Sequence, residues 1–138
     1  ERFSFAGALT YLRRRKINII GVDLDQDGLR MDELAQVLGD LKSKGIRPKY
    51  IYTIPTLQNP TGTVLTMERR HKLLALSQEY GVPIFEDECY ADLIFEGEYE
   101  NAIRSLDDSN RVLHIGSFSK NLEPGIRLGY IEIGRAHV

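Results

Sequence analysis

Val112-Leu113-His114-Ile115-Gly116-Ser117-Phe118-Ser119-Lys120-Asn121-Leu122-Glu123-Pro124-Gly125-Ile126-Arg127 is the stretch from which the fold of this chain is read. Val112, Leu113 and Ile115 have the length and β-branching of a buried strand. The character changes at Gly116. Ser117 and Ser119 flank Phe118, and Lys120 follows. Pro124 and Gly125 mark a turn, with Arg127 just past it. A lysine at the end of a buried strand can present a desolvated, nucleophilic amine. Two hydroxyls and a guanidinium suit a phosphate dianion. Each residue alone has a blander use, because most lysines after strands are solvated and most arginines near turns are on the surface. The stretch gains meaning only from the segments around it.

Immediately upstream, Ile84 and Phe85 begin a short strand that meets Glu86-Asp87-Glu88-Cys89-Tyr90, and Glu96 to Asn110 is a charged connection. Before that strand, Met67 to Tyr80 is predicted helical. Thr66 is its N-cap, Glu68 lies in its first turn, and Gly81 and Pro83 end it. Tyr50 to Ile54 is a strand rich in aromatic and β-branched residues, running into Pro55-Thr56-Leu57-Gln58-Asn59-Pro60-Thr61-Gly62. Met31 to Lys44 is a second helix, with Met31, Leu34, Leu38 and Leu41 on one face. Asn18 to Leu24 reads as a strand, Asp25 to Gly28 as a turn, and Phe3 to Leu12 has helical spacing. Downstream, Arg127 to Ile131 is a final apolar strand.

Strands alternating with helices predict an α/β fold, a three-layer α/β/α arrangement around a mostly parallel sheet. Ligands of such sheets bind beyond the carboxyl ends of the strands. Three of those ends carry unusual chemistry: Asn59 to Gly62, Asp87 to Tyr90, and Ser117 to Lys120.

Composition narrows the function. The chain has 138 residues, 42% of them hydrophobic, and a net charge of −2, so it shows no basic footprint for nucleic acid or an anionic membrane. Arg13-Arg14-Arg15-Lys16 reads as a solvated helix end. No apolar run approaches the ~20 residues of a membrane span. One cysteine, Cys89, excludes an internal disulfide and suits a reducing, cytoplasmic setting. Three scattered histidines give no metal-ligand spacing.

An amine beside a phosphate site suggests pyridoxal 5'-phosphate, whose aldehyde is held as a Schiff base while its phosphate is anchored. The ring nitrogen of that group is an electron sink only when protonated, and a carboxylate facing it keeps the proton. Asp87 is the candidate, although it could equally be a solvated strand-end acid among Glu86 and Glu88. The phenolic oxygen needs donors, which Tyr90 and Asn59 can supply. Taken singly, Tyr90 is more often a packing aromatic and Asn59 a turn residue.

Asn59-Pro60-Thr61-Gly62, Asp87-x-x-Tyr90, Ser117-x-Ser119-Lys120 and Arg127, in that order, resemble the class I/II aminotransferases, fold-type I pyridoxal phosphate enzymes. The resemblance reaches from near Gly7-Ala8-Leu9 to about Ile131. It implies that Lys120 carries the cofactor and moves the proton at the substrate α-carbon. It implies that Asp87 pairs with the pyridine nitrogen and that Tyr90 and Asn59 bond the phenolic oxygen. Ser117 and Arg127 would bind the phosphate, with Ser119 as a further ligand. Cys89 receives no role. Amino acid and 2-oxo acid substrates and a homodimeric parent are implied as well. The family's glycine-rich phosphate segment and its stacking aromatic would precede Glu1, and its carboxylate-clamping arginine would follow Val138. Residues 1–132 are thus expected to be part of the cofactor-binding large domain. Residues 133–138, ending Gly134-Arg135-Ala136-His137-Val138, resemble the in-frame translation of a sequencing adapter and are expected to be a foreign tail.

Other readings are weaker. Ser117-x-x-Lys120 matches the acyl-enzyme motif of serine β-lactamases, but neither Ser-Asp-Asn nor Lys-Thr-Gly occurs. No dinucleotide or nucleoside triphosphate loop is present. The main alternative keeps the fold and changes its use: an aminotransferase-like ligand-sensing domain of a winged-helix transcription regulator.

Overall fold

The structure is a computed structural model that describes residues 1–97 and 100–134. Helix α1 (Ala6–Arg14) ends in the basic run, with Arg13 and Arg14 in its last turn, solvated as expected. Strands β1 (Leu24–Asp25) and β2 (Gly28–Leu29) form a two-residue antiparallel hairpin. Its turn is closed by Asp25 Oδ1, which accepts from the Asp27 backbone N–H at 2.9 Å. The strand expected over Asn18 to Leu24 is therefore a strand only at its last residue. The extended run before it finds no strand partner among the described residues; its Val22 carbonyl accepts from the Arg2 N–H at 2.7 Å.

Helix α2 (Met31–Ser43) buries Met31, Leu34 and Leu38, and Leu41 is half-buried. Asp32 and Glu33 lie in its first turn, where the helix dipole favours anions. Strand β3 (Ile51–Thr53) follows, then α3 (Met67–Tyr80), β4 (Ile84–Asp87), β5 (Val112–Ser117) and β6 (Gly129–Glu132). Gly81 ends α3 in the left-handed conformation, φ 66°. Thr66 occupies the N-cap of α3 but makes no side-chain cap bond, contrary to expectation. Pro124–Ile126 forms a short 3₁₀ turn where the sequence indicated one.

The sheet order is β3-β4-β5-β6, with β3, β4 and β5 parallel and β6 antiparallel to β5. Ile51, Ile84 and Val112 are in register across the parallel strands and face one side. They join Leu34 and Leu38 of α2, Leu73 and Leu74 of α3, and Ile103 in a single core. Each fully buried aliphatic side chain contributes on the order of 1.5–3 kcal/mol. The opposite face carries Tyr52, Phe85, Asp87, Leu113 and Ile115, all half-buried. The expected foreign tail, apart from Ile133 and Gly134, lies outside the described residues.

Candidate active site

Because β3, β4 and β5 run parallel, their carboxyl ends share one edge of the sheet. The loop 54–65 leaves β3 there and carries Asn59. Asp87 is the last residue of β4, and Ser117 the last of β5. The amide Nδ2 of Asn59 donates to the Tyr90 hydroxyl at 3.2 Å, and the Lys120 amine stands 5.7 Å from the Tyr90 ring centroid. Side chains 31 and 30 positions apart in sequence thus meet at one aromatic ring. The Ser119 backbone N–H donates to Ser117 Oγ at 3.2 Å, which folds the two hydroxyl residues into one turn before the lysine.

Asp87 projects from the half-open face of β4. The Tyr52 hydroxyl donates to its Oδ2 at 2.6 Å, and the Cys89 thiol to its Oδ1 at 2.8 Å. Asp87 is therefore not the free strand-end acid that it could have been. Its neighbours are not solvated either. Glu86 is fully buried; it accepts backbone N–H bonds from Ile103 and Arg104 at 2.6 and 3.0 Å, and its Oε2 lies 2.9 Å from His114 Nδ1. The bond to Glu86 raises the pKa of His114.

Glu88 is also buried. It accepts from Thr56 Oγ1 at 2.8 Å and from Arg70 at 3.3 Å, while its Oε2 has no partner among the described residues. Burial and the nearby Glu86 charge push its pKa up to about 7, outweighing the Arg70 guanidinium. Arg70, with no exposed surface, also donates to the carbonyls of Leu65, Pro55 and Asn101. It thereby ties the Asn59 loop to the exit of β4. Sequence reasoning passed over it. The signal was its place at position i of an i, i+3, i+4, i+7 inner stripe with Leu73, Leu74 and Ser77.

Lys120 is exposed, so the desolvated amine expected from its strand end is not what the structure holds. The strand before it is buried only at Val112 and Gly116, and residues 120–133 are all exposed. Arg127 makes no hydrogen bond with the serines among the described residues. It adopts φ 55°, and its guanidinium donates to the Pro124 carbonyl at 3.4 Å. Asn59, Tyr90 and Lys120 are brought together, with Asp87 three residues before Tyr90, whereas among the described residues Arg127 makes no hydrogen bond with them.

The donor set can be compared with a pyridoxal ring. It offers a carboxylate for a pyridine nitrogen, an amide and a phenol 3.2 Å apart for a phenolic oxygen, and an amine 5.7 Å from the Tyr90 ring. The two hydroxyls could take a phosphate, with the Arg127 guanidinium held at the Pro124 carbonyl instead. The chemistry fits. Among the described residues no group of side chains is suited to a metal ion, and no helix is long and apolar enough to cross a membrane.

Residues 2–138 match the family model for aminotransferase class I and II. An uncharacterized aminotransferase of Saccharolobus solfataricus is 41% identical over 131 residues, covering 95% of this chain and 33% of its own length. A crystal structure of Pyrococcus horikoshii kynurenine aminotransferase, in complex with PMP, superposes with a TM-score of 0.90 at 38% identity, covering 93% of this chain and 32% of that one. An uncharacterized helix-turn-helix transcriptional regulator of Bacillus subtilis is 32% identical over 131 residues, covering 95% of this chain and 26% of its own length. The chain spans about a third of the length of the aminotransferases that it matches.

Proposed function

We propose that this chain, which belongs to the class I and II aminotransferases, is part of the cofactor-binding domain of a pyridoxal phosphate-dependent enzyme that moves an amino group between an amino acid and a 2-oxo acid. When bound, pyridoxal phosphate supplies an electron sink that makes bonds at an amino acid's α-carbon labile. PMP, the amino form of the same cofactor, is what the Pyrococcus horikoshii structure holds.

The chain's own groups have distinct tasks in this reading. Lys120 would hold the cofactor through its amine and would take and return the proton at the substrate α-carbon. Asp87 holds a proton at the ring nitrogen. Asn59 and Tyr90 donate to the phenolic oxygen. Ser117 and Ser119 bind phosphate, and Arg127 joins them on reorientation from Pro124. Residues 1–132 form the family portion, with 133–138 as a foreign tail. The parent acts in the cytoplasm as a homodimer, and this portion contacts no membrane or nucleic acid.

The observation that carries the reading is the meeting of Asn59, Tyr90 and Lys120, from three strand ends, at one edge of the sheet. The test is to purify the full-length parent and assay amino transfer from a panel of amino acids to 2-oxo acids, with the visible absorbance of bound cofactor followed in parallel. Transfer with a bound chromophore is expected; neither would sink the proposal. The regulator reading is favoured by one observation, the 32% identity to the Bacillus subtilis protein. A parent that binds cofactor, fails to transfer amino groups and carries a winged helix would decide for it.

A further inference from the structure

Asp87 is one of three consecutive acids, and it alone receives donors from the half-open face of the sheet. Tyr52 sits on β3 opposite Phe85, which places Asp87, two residues further along β4, at the diagonal position on the same face. A tyrosine is long enough to span that diagonal, and its hydroxyl reaches Oδ2 at 2.6 Å. Its ring is set by Phe85, with centroids 6.1 Å apart and planes tilted by 40°. From the other side Cys89, the next residue but one, brings its thiol to Oδ1 at 2.8 Å.

Both donors keep their protons at neutral pH. Burial, then the Asp87 charge, pushes the Tyr52 phenol upward. Burial, then the bond to Asp87, pushes the Cys89 thiol up to about 12. A carboxylate has about four lone-pair sites, so one donor on each oxygen leaves capacity for an incoming N–H. Its terminal torsion is intrinsically broad and two-fold. Donors on both oxygens remove that freedom. Glu86 and Glu88 cannot replace Asp87, because each is committed to partners on the helix-covered side.

We propose that Tyr52 and Cys89 form a two-donor clamp that fixes the orientation of the Asp87 carboxylate toward the cofactor's ring nitrogen, Tyr52 being a positioning residue of the reaction. The inference rests on the role given to Asp87 under Proposed function. It gives Tyr52 and Cys89, neither of which reaches the cofactor in this reading, a part in setting how firmly the ring nitrogen keeps its proton.

The test uses full-length holoenzyme carrying Tyr52→Phe, Cys89→Ala, Cys89→Ser or Asp87→Ala. Two quantities are read besides turnover: the cofactor's dissociation constant, and the pH midpoint of the lysine–cofactor absorbance, which responds to the ring nitrogen's proton. Tyr52→Phe keeps the ring and its packing and removes only the donor. It is expected to weaken cofactor binding roughly tenfold, the scale of one hydrogen bond to a charged group. It should also move the midpoint toward the Asp87→Ala value. Cys89→Ala is expected to move it the same way by less, and Cys89→Ser, which keeps a donor, to restore it. Thermal unfolding checks that the Tyr52→Phe protein is as folded as the parent. If Asp87→Ala changes both quantities while Tyr52→Phe and Cys89→Ala leave both within about twofold of the parent, on the same hydrogen-bond scale, the clamp is wrong and the role of Asp87 stands. If Asp87→Ala changes neither, the role of Asp87 and the clamp fall together.

Discussion

The Arg70 guanidinium lies 3.3 Å from the Glu88 carboxylate, with almost no surface of either side chain exposed. One charged pair inside the helix-covered layer joins α3, the Asn59 loop and the exit of β4. Removing the guanidinium strips Glu88, Thr56 and the carbonyls of Leu65, Pro55 and Asn101 of their donor. Arg70→Met is expected to destabilise the full-length parent by about 3–5 kcal/mol in denaturant unfolding. Arg70→Lys should recover only part of this, because an ammonium cannot reach the carbonyls of Leu65, Pro55 and Asn101 together. A loss under about 1 kcal/mol for Arg70→Met would show that the network carries little stability.

Glu88 also makes stability depend on pH in an unusual direction. Its pKa rises from the ordinary 4.5 to about 7 on folding. The native state therefore keeps a proton in that window that the unfolded chain releases. The stabilisation is complete below about pH 4.5 and is lost as pH rises through about 7. His114, raised by Glu86, adds a change of the same sign above its usual 6.5. Glu88→Gln in the parent should flatten the decline between pH 5 and 7.5 by an amount on the order of 2 kcal/mol. Superimposable stability profiles for variant and parent would refute the assignment.

Lys120→Ala should remove the cofactor link that borohydride can trap and cut amino transfer by about 10²–10⁴-fold or more. Mass spectrometry of the reduced protein gives the answer directly. A trapped adduct at another lysine would move the assignment away from Lys120.

Asp87→Ala, Glu86→Ala and Glu88→Ala would not make a fair comparison, because Glu86 and Glu88 hold the interior together. Amide variants are cleaner. Asp87→Asn is expected to lower kcat strongly with little change in thermal midpoint. Glu86→Gln should lower the midpoint, because it weakens the bonds to the Ile103 and Arg104 amides and to His114. Paired melting and kinetic measurements separate the two effects. Equal losses of kcat without destabilisation in both would argue for general acidity of the segment.

The alternation of strands and helices was legible because apolar residues recur at the right periods. Met67 to Tyr80 was read to the residue, and Met31 to Lys44 to within one. Asn18 to Leu24 misled because its β-branched residues describe an extended chain, and pairing depends on a neighbour that local sequence does not reveal. The cluster of Asn59, Tyr90 and Lys120 was legible because parallel strands bring like ends together. Arg70, Glu86 and Glu88 were not. Composition marks charged residues as surface, and only their partners across the fold compensate their burial. The exposed Lys120 shows the reverse error: strand-like sequence before a residue does not bury the residue itself.

The 138 residues on their own are expected to bind pyridoxal phosphate weakly and not to transaminate. Lys120 and the whole of 121–133 are exposed, so charges at this edge interact through water. Titration of the purified piece, followed by absorbance, checks this. Tight stoichiometric binding with turnover would overturn the expectation.

The three acids at the end of β4 also bear on fidelity of strand pairing. A one-residue slip would exchange Asp87 for Glu86 or Glu88 on the half-open face, and it would also carry Ile84 out of the core. Polar contacts distinguish the registers as well: only in the native one does Glu86 meet the Ile103 and Arg104 amides while Glu88 meets Thr56 and Arg70. The slipped alignment would strand a buried guanidinium without its acid. The interior charges thus add a polar key to the apolar one: the native alignment of β4 is the one in which both buried acids meet their donors.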